Sequence, residues 1–131
     1  LQASDHQYRM EKSLKDGEEV LRVILSWSEM DVPPHFPNFK SETKEKVLAE
    51  IPAPSADAEL CVEVEEQDFN FFYEENGQRR TVYEHADGRL INPEIVGCMT
   101  GMMAGVFASG NGKESGNRAV FSGISYQDVT V

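Results

Sequence analysis

Two cysteines, three histidines and a single tryptophan in 131 residues leave little material for the chemistries these residues usually carry. Cys61 and Cys98 have no second thiol or imidazole at a metal-ligand offset, and they make a poor disulfide framework for a chain of this length. Free buried thiols are the expectation, with one Cys61–Cys98 bridge as the alternative. His6, His35 and His85 stand alone, which argues against zinc. No apolar run approaches the roughly 18 residues of a membrane span, and no charged-then-apolar leader opens the chain. The expectation is therefore no membrane partner; the compartment stays open, with the cytoplasm slightly favoured. Positive charge is scarce as well: Lys and Arg number 12 against 23 Asp and Glu, a net charge of −11. Nucleic acid and anionic surfaces would be repelled at long range, while neutral or cationic partners stay open.

What the chain has in quantity is period-2 alternation, the mark of a half-buried strand. Leu60, Val62 and Val64 alternate with Cys61, Glu63 and Glu65, and Phe69, Phe71 and Tyr73 alternate with Asn70, Phe72 and Glu74. Asn76-Gly77 closes this stretch with the dipeptide that tolerates the positive φ of a tight turn. Parity places Phe69, Phe71 and Tyr73 in a core and turns Phe72 outward.

Elsewhere the same pattern recurs. Tyr8 and Met10 share a face in the segment from His6 to Leu14, and Lys15-Asp16-Gly17 turns the chain. Val20 to Trp27 is apolar on both parities, as befits a strand covered twice; its spacing also admits a helix, but its β-branched content favours the strand. The span 28–45 holds three prolines and reads as a long loop, whose Phe36 and Phe39 suggest that it packs on something. Val47 to Ile51 resumes alternation, and 52–57 is a turn. Arg79 to His85 is a strand with Val82 and Tyr83 on opposite faces, and Ala86-Asp87-Gly88 a turn. Asn92 before Pro93 predicts one helical turn within 90–96.

Met99 to Ser109 is a small-residue strand, 110–116 a glycine-rich loop, and Arg118 to Val131 a final strand. In that last strand the apolar parity switches at Gly123, as across a β-bulge. Phe107 and Phe121 are expected in the core. About eight short strands with regular turn signals describe one all-β sandwich domain over residues 1–131.

Catalytic signatures are weak. Glu63, Glu65, Glu66, Asp68, Glu74 and Glu75 cluster, but most sit on the outward parity of strands whose other face is apolar, so they read as a solvated face rather than a glycosidase pair. They lack the oxygen-ligand pattern of a calcium loop, although a structural calcium of another geometry stays open; no other cofactor is expected. There is no Gly-x-Ser-x-Gly elbow, and the glycines of 110–116 do not open a helix as a phosphate loop does. Catalytic residues: none. Aromatics remain. Trp27, Phe36, Phe39, Phe72 and Tyr83 are the candidates for a platform on which sugar rings stack, against the alternative of packing under the long loop or against a partner.

Five pieces in order, Tyr8-Arg9-Met10, the run 47–54, Phe69-Asn70-Phe71-Phe72-Tyr73 with Asn76-Gly77, the run 97–105, and Ala119-Val120-Phe121, resemble the C-terminal concanavalin A-like domain of family 43 glycoside hydrolases. The resemblance spans Tyr8 to Val129. It implies a jelly-roll β-sandwich that carries no catalytic residue and packs on an N-terminal five-bladed propeller holding the catalytic carboxylates. It further implies a contribution to the rim of a xylo- or arabino-oligosaccharide pocket, or to homo-oligomer contacts. A stand-alone carbohydrate-binding module and a structural module without sugar contact are the alternatives. Three departures stand out: Met99 replaces the aromatic usual before Thr100-Gly101, Val120 and Ser122 replace acidic residues, and Gly123 replaces an aromatic. The family also has strands ahead of the Tyr8 segment, so the sheet is expected to lack its N-terminal strands or to be completed by another chain.

Overall fold

The computed structural model describes residues 1–3, 6–30, 41–92 and 101–128. Seven strands among them form two antiparallel sheets. The first sheet has the order β1 (Gln2–Ala3), β2 (His6–Lys15), β3 (Glu18–Met30), β4 (Ser41–Pro52). The second has the order β5 (Glu59–Glu65), β6 (Asp68–Glu75), β7 (Gln78–Asp87). This is the architecture of a concanavalin A-like sandwich.

Its core is built from the inward parity of both sheets. Tyr8 and Val23 on one side meet Phe69, Phe71 and Ala86 on the other, closed at one end by Ile91. The Tyr8 ring stands edge-on to Phe69 at 5.9 Å and tilted against Phe71 at 5.8 Å, the offset geometries that aromatic quadrupoles favour. Its hydroxyl, too buried to meet bulk water, donates to the Asp87 carbonyl at 3.0 Å. With β7 lying against β3 and β4, and β2 against β6, the two strand orders run in step. The short strand β1 and the strand β5 therefore share one side of the sandwich.

β3 is buried on both faces, as its double apolar parity requires. Leu21 and Val23 face inward, while Ile24 and Ser26 on the outer face are also buried. Ile24 lies between Arg9 and Val47 on the ladder. Around it Glu11 is shared by two guanidinium groups, Arg9 Nε at 2.9 Å and Arg22 Nη2 at 2.8 Å, and Arg9 Nη2 reaches Glu45 at 2.6 Å.

Several expectations are corrected. The loop is shorter than 28–45: its two ends pair, Ser28 with Thr43 and Trp27 with Lys44, because all three prolines fall inside 31–40. Phe36 and Phe39 lie outside the described residues. Register shifts in β7 at two places insert Val82 opposite the Phe71–Phe72 step and an extra residue opposite Asn70, so Val82 and Tyr83 both pack against the core. Ala86 is a buried strand residue and not a turn. The helical turn sits earlier than expected: it is a 3-10 turn at Gly88–Ile91, capped by Asp87, whose carboxylate accepts from the Arg89 amide at 3.0 Å, while Asn92 ends it. Pro93 and the rest of the expected turn lie outside the described residues.

The largest correction concerns 101–128. No named strand forms there; one antiparallel bridge joins Met103 to Gln2. Phe107 and Phe121 are each 48% exposed instead of buried. The partner row on β5 is uncovered too, with Leu60, Val62 and Val64 at 40%, 40% and 45% exposure.

Candidate functional site

The outer face of the β5–β6–β7 sheet brings charged, thiol and aromatic side chains together. Strand pairing sets Glu59 opposite Glu74 and Cys61 opposite Phe72, with Phe72 also opposite Thr81 on β7. Phe72, expected to look outward with a free ring, is only 8% exposed. The Arg79 guanidinium lies 3.5 Å from its ring centroid, and Arg79 Nη1 reaches Glu63 at 3.4 Å. A cation over an aromatic face gains quadrupole attraction while its methylene stem covers apolar surface. The ring is thereby closed to stacking in this arrangement.

Beside it, the Cys61 thiol and the carboxylates of Glu59 and Glu74 lie within 4.8 Å of one another. Burial, then the negative charges of Glu59 and Glu74, push the Cys61 thiol up, so it stays protonated at neutral pH and is not an activated nucleophile. One thiol and two carboxylates do not suit calcium, which takes about six to eight oxygens. Cys61 is a free cysteine, and Cys98 lies outside the described residues.

At the far end of the sheet, the β7 bulge holds His85 in the left-handed region at φ 58°. Its backbone N–H donates to Asn70 Oδ1 at 2.9 Å, and its Nδ1 lies 2.9 and 3.0 Å from the two Asp68 oxygens. These contacts over-determine a conformation that a histidine rarely adopts. Neither spacing nor composition announced this cluster, because it depends on the bulge.

On the inner face at the opposite end, where Asn76 (φ 52°) and Gly77 (φ 74°) form the tight turn into β7, a cleft of about 190 Å³ opens. Tyr73, Glu75, Asn76, Gln78 and Arg80 line it. Glu75 is already engaged by the Ser55 amide at 3.2 Å, and Arg80 Nη2 donates to Gln78 Oε1 at 3.2 Å. The cleft thus sets one aromatic wall beside planar amide, carboxylate and guanidinium groups.

The three aromatic candidates among the described residues, Trp27, Phe72 and Tyr83, are not brought together. Trp27 is half-buried at the β3 end of the first sheet, Tyr83 is half-buried on the core side of β7, and Phe72 is covered on the opposite face of the same sheet. Tyr73, which parity assigned to the core, is the aromatic that lines the cleft. Its pairing with Arg80 across the Asn76–Gly77 turn was implicit in the hairpin spacing.

The chain matches, over residues 1–127, the family described as the beta xylosidase C-terminal concanavalin A-like domain. No match was found among curated proteins or among solved structures. The two-sheet architecture, the aromatic β6 core strand and a correspondence spanning nearly every residue lead to one assignment: this chain belongs to the C-terminal concanavalin A-like domain family of β-xylosidase.

Proposed function

We propose that this domain is the non-catalytic accessory sandwich of a xylan- or arabinan-degrading glycoside hydrolase, and that it packs on an N-terminal catalytic propeller and helps shape the rim of its substrate pocket. The observation that carries the reading is the family correspondence over residues 1–127, whose own description places the domain C-terminal in a β-xylosidase. The chemistry of the described site residues supports it: Cys61 is held as a thiol, and the Phe72 ring lies under Arg79.

A second reading, direct sugar contact, is favoured by one feature, the cleft walled by Tyr73 and Arg80. Sugar there would stack its apolar face on Tyr73 and share its hydroxyls among Glu75, Asn76 and Gln78.

Calorimetric titration separates the two. Injecting the chain into the catalytic propeller of its parent enzyme should give saturable binding, and injecting xylobiose or arabinobiose into the chain alone should give none. Saturable sugar binding lost in Tyr73→Ala would favour the second reading, and silence toward the propeller would overturn the first.

A further inference from the structure

The cleft at the Asn76–Gly77 turn carries one charge that the fold itself leaves unanswered. Arg9 rests on Glu11 and Glu45, Arg22 on Glu11, Arg79 on Glu63 and Arg89 on Asp87. In a chain with 23 acidic side chains against 12 Lys and Arg, such pairing is the default. Arg80 departs from it. Its Nη2 donates to a neutral group, Gln78 Oε1 at 3.2 Å, and no ion pair among the described residues engages it. The greater part of a five-donor fork is left for a ligand.

Strand alternation separates the two neighbouring arginines. Arg79 stands opposite Glu74 on the ladder and turns to the outer face, over Phe72 and toward Glu63. Arg80 stands opposite Tyr73 and turns to the other face, into the cleft. The acid that shares the cleft, Glu75, lies two residues nearer the turn, opposite Gln78. Its Oε2 accepts from the Ser55 amide at 3.2 Å, which holds the carboxylate at that end and off Arg80. The cleft is therefore bipolar, with an acceptor at the turn and a planar donor fork farther in, beside the Tyr73 ring. At about 190 Å³ it falls below the roughly 300–1,000 Å³ of sites that enclose a drug-sized ligand, so it has room for one ring and not for an oligosaccharide.

We propose that this cleft takes a single sugar ring bearing a carboxylate, a hexuronosyl unit, and that Arg80 is the residue that selects it. The inference rests on the sugar-contact reading of the cleft and adds the class of sugar. Guanidinium and carboxylate match as planar forks, and charge-assisted bonds of this kind are about twice as strong as neutral ones. A neutral pyranose offers Arg80 hydroxyl oxygens alone. At the other end the hydroxyls of the same ring donate to Glu75, while its apolar face lies on Tyr73. The ligand's acid thus sits on the Arg80 side, with its ring between it and Glu75. The net charge of −11 opposes an anion from afar, but salt screens exposed charges beyond about 8 Å at physiological ionic strength, and the Arg80 contact is made inside that distance.

The test uses the full chain and two probes that differ at one carbon, methyl β-D-glucuronoside with its C6 carboxylate and methyl β-D-glucoside with its C6 hydroxyl. Each is titrated while backbone amide NMR shifts are followed at Asn76, Gly77 and Gln78. The proposal expects saturable shifts there with the glucuronoside, and binding of the glucoside at least about tenfold weaker. Arg80→Gln, a change at an exposed position, should bring the glucuronoside down to the level of the glucoside and leave the glucoside where it was. Equal binding of the two sugars by the parent chain would overturn the proposal while sugar contact stood. Silence toward both would overturn the sugar-contact reading and the proposal together. Sodium acetate should not reproduce the shifts; if it binds as well as the glucuronoside, the cleft takes any carboxylate and the sugar assignment falls.

Discussion

The Tyr8 hydroxyl donates to the backbone carbonyl of Asp87 across the sandwich at 3.0 Å, tying the second strand of one sheet to the last strand of the other. Tyr8 also stands between Phe69 and Phe71, so one side chain carries both the packing and the polar link of the two layers. Replacing it with Phe keeps the ring and leaves the carbonyl with one partner fewer. Tyr8→Phe should cost about 1 kcal/mol of stability in urea denaturation. Phe71→Ala, which empties the centre of the core, should cost about 3–5 kcal/mol. Unchanged stability in the second variant would contradict the inward register of β6.

Alkaline pH probes the same contact. Burial, then the charge of Asp87, raises the Tyr8 hydroxyl from 10.0 to about 12. An unfolded Tyr8 ionises from about 10, whereas the folded one holds its proton to about 12. Its contribution is therefore fully present below 10 and is lost as pH rises toward 12. The loss of stability across this window should be shallower in Tyr8→Phe than in the parent chain, as read from urea midpoints at successive pH values.

Glu11 is the shared acceptor for Arg9 and Arg22 on the half-buried outer face, and Arg22 Nε has no partner. Glu11→Ala should destabilise by about 1–3 kcal/mol, because it leaves two partly desolvated cations. A double-mutant cycle with Arg22→Ala should recover part of that loss as coupling. Strict additivity would show that the contact is decorative.

Cys61 is held as a thiol by burial and by Glu59 and Glu74. In a Cys98→Ser background it should react slowly with a disulfide reagent at neutral pH. Glu59→Gln with Glu74→Gln should speed the reaction a few-fold by removing the two charges that oppose a thiolate. Unaltered kinetics would leave burial as the sole cause.

The parts of this fold legible in sequence are those governed by local periodicity. Tyr8 with Met10, Leu21 with Val23, and Phe69 with Phe71 share faces at period 2, and Asn76-Gly77 marks its turn chemically. What was not legible depends on contacts distant in sequence. Phe72 is covered because Arg79 returns over it across a hairpin. Val82 and Tyr83 share the core because two register shifts break the alternation that parity assumes. Ser28 and Thr43 pair although prolines lie between them, since those prolines sit inside the connection and not on the ladder. The Tyr73–Arg80 cleft was missed for a related reason: parity assigned Tyr73 to the core, but at this end of the inner face the cover is incomplete. The family was legible because its motifs lie within β2, β4, β6 and the 97–105 and 119–121 runs in a fixed order.

The central claim, that this sandwich serves a catalytic propeller without doing chemistry of its own, is tested most directly by assaying the purified chain alone against aryl β-D-xylosides and aryl α-L-arabinofuranosides. Release of the aryl alcohol at the rate of buffer is the expected result. Turnover by the chain that survives repurification and scales with its concentration would contradict it.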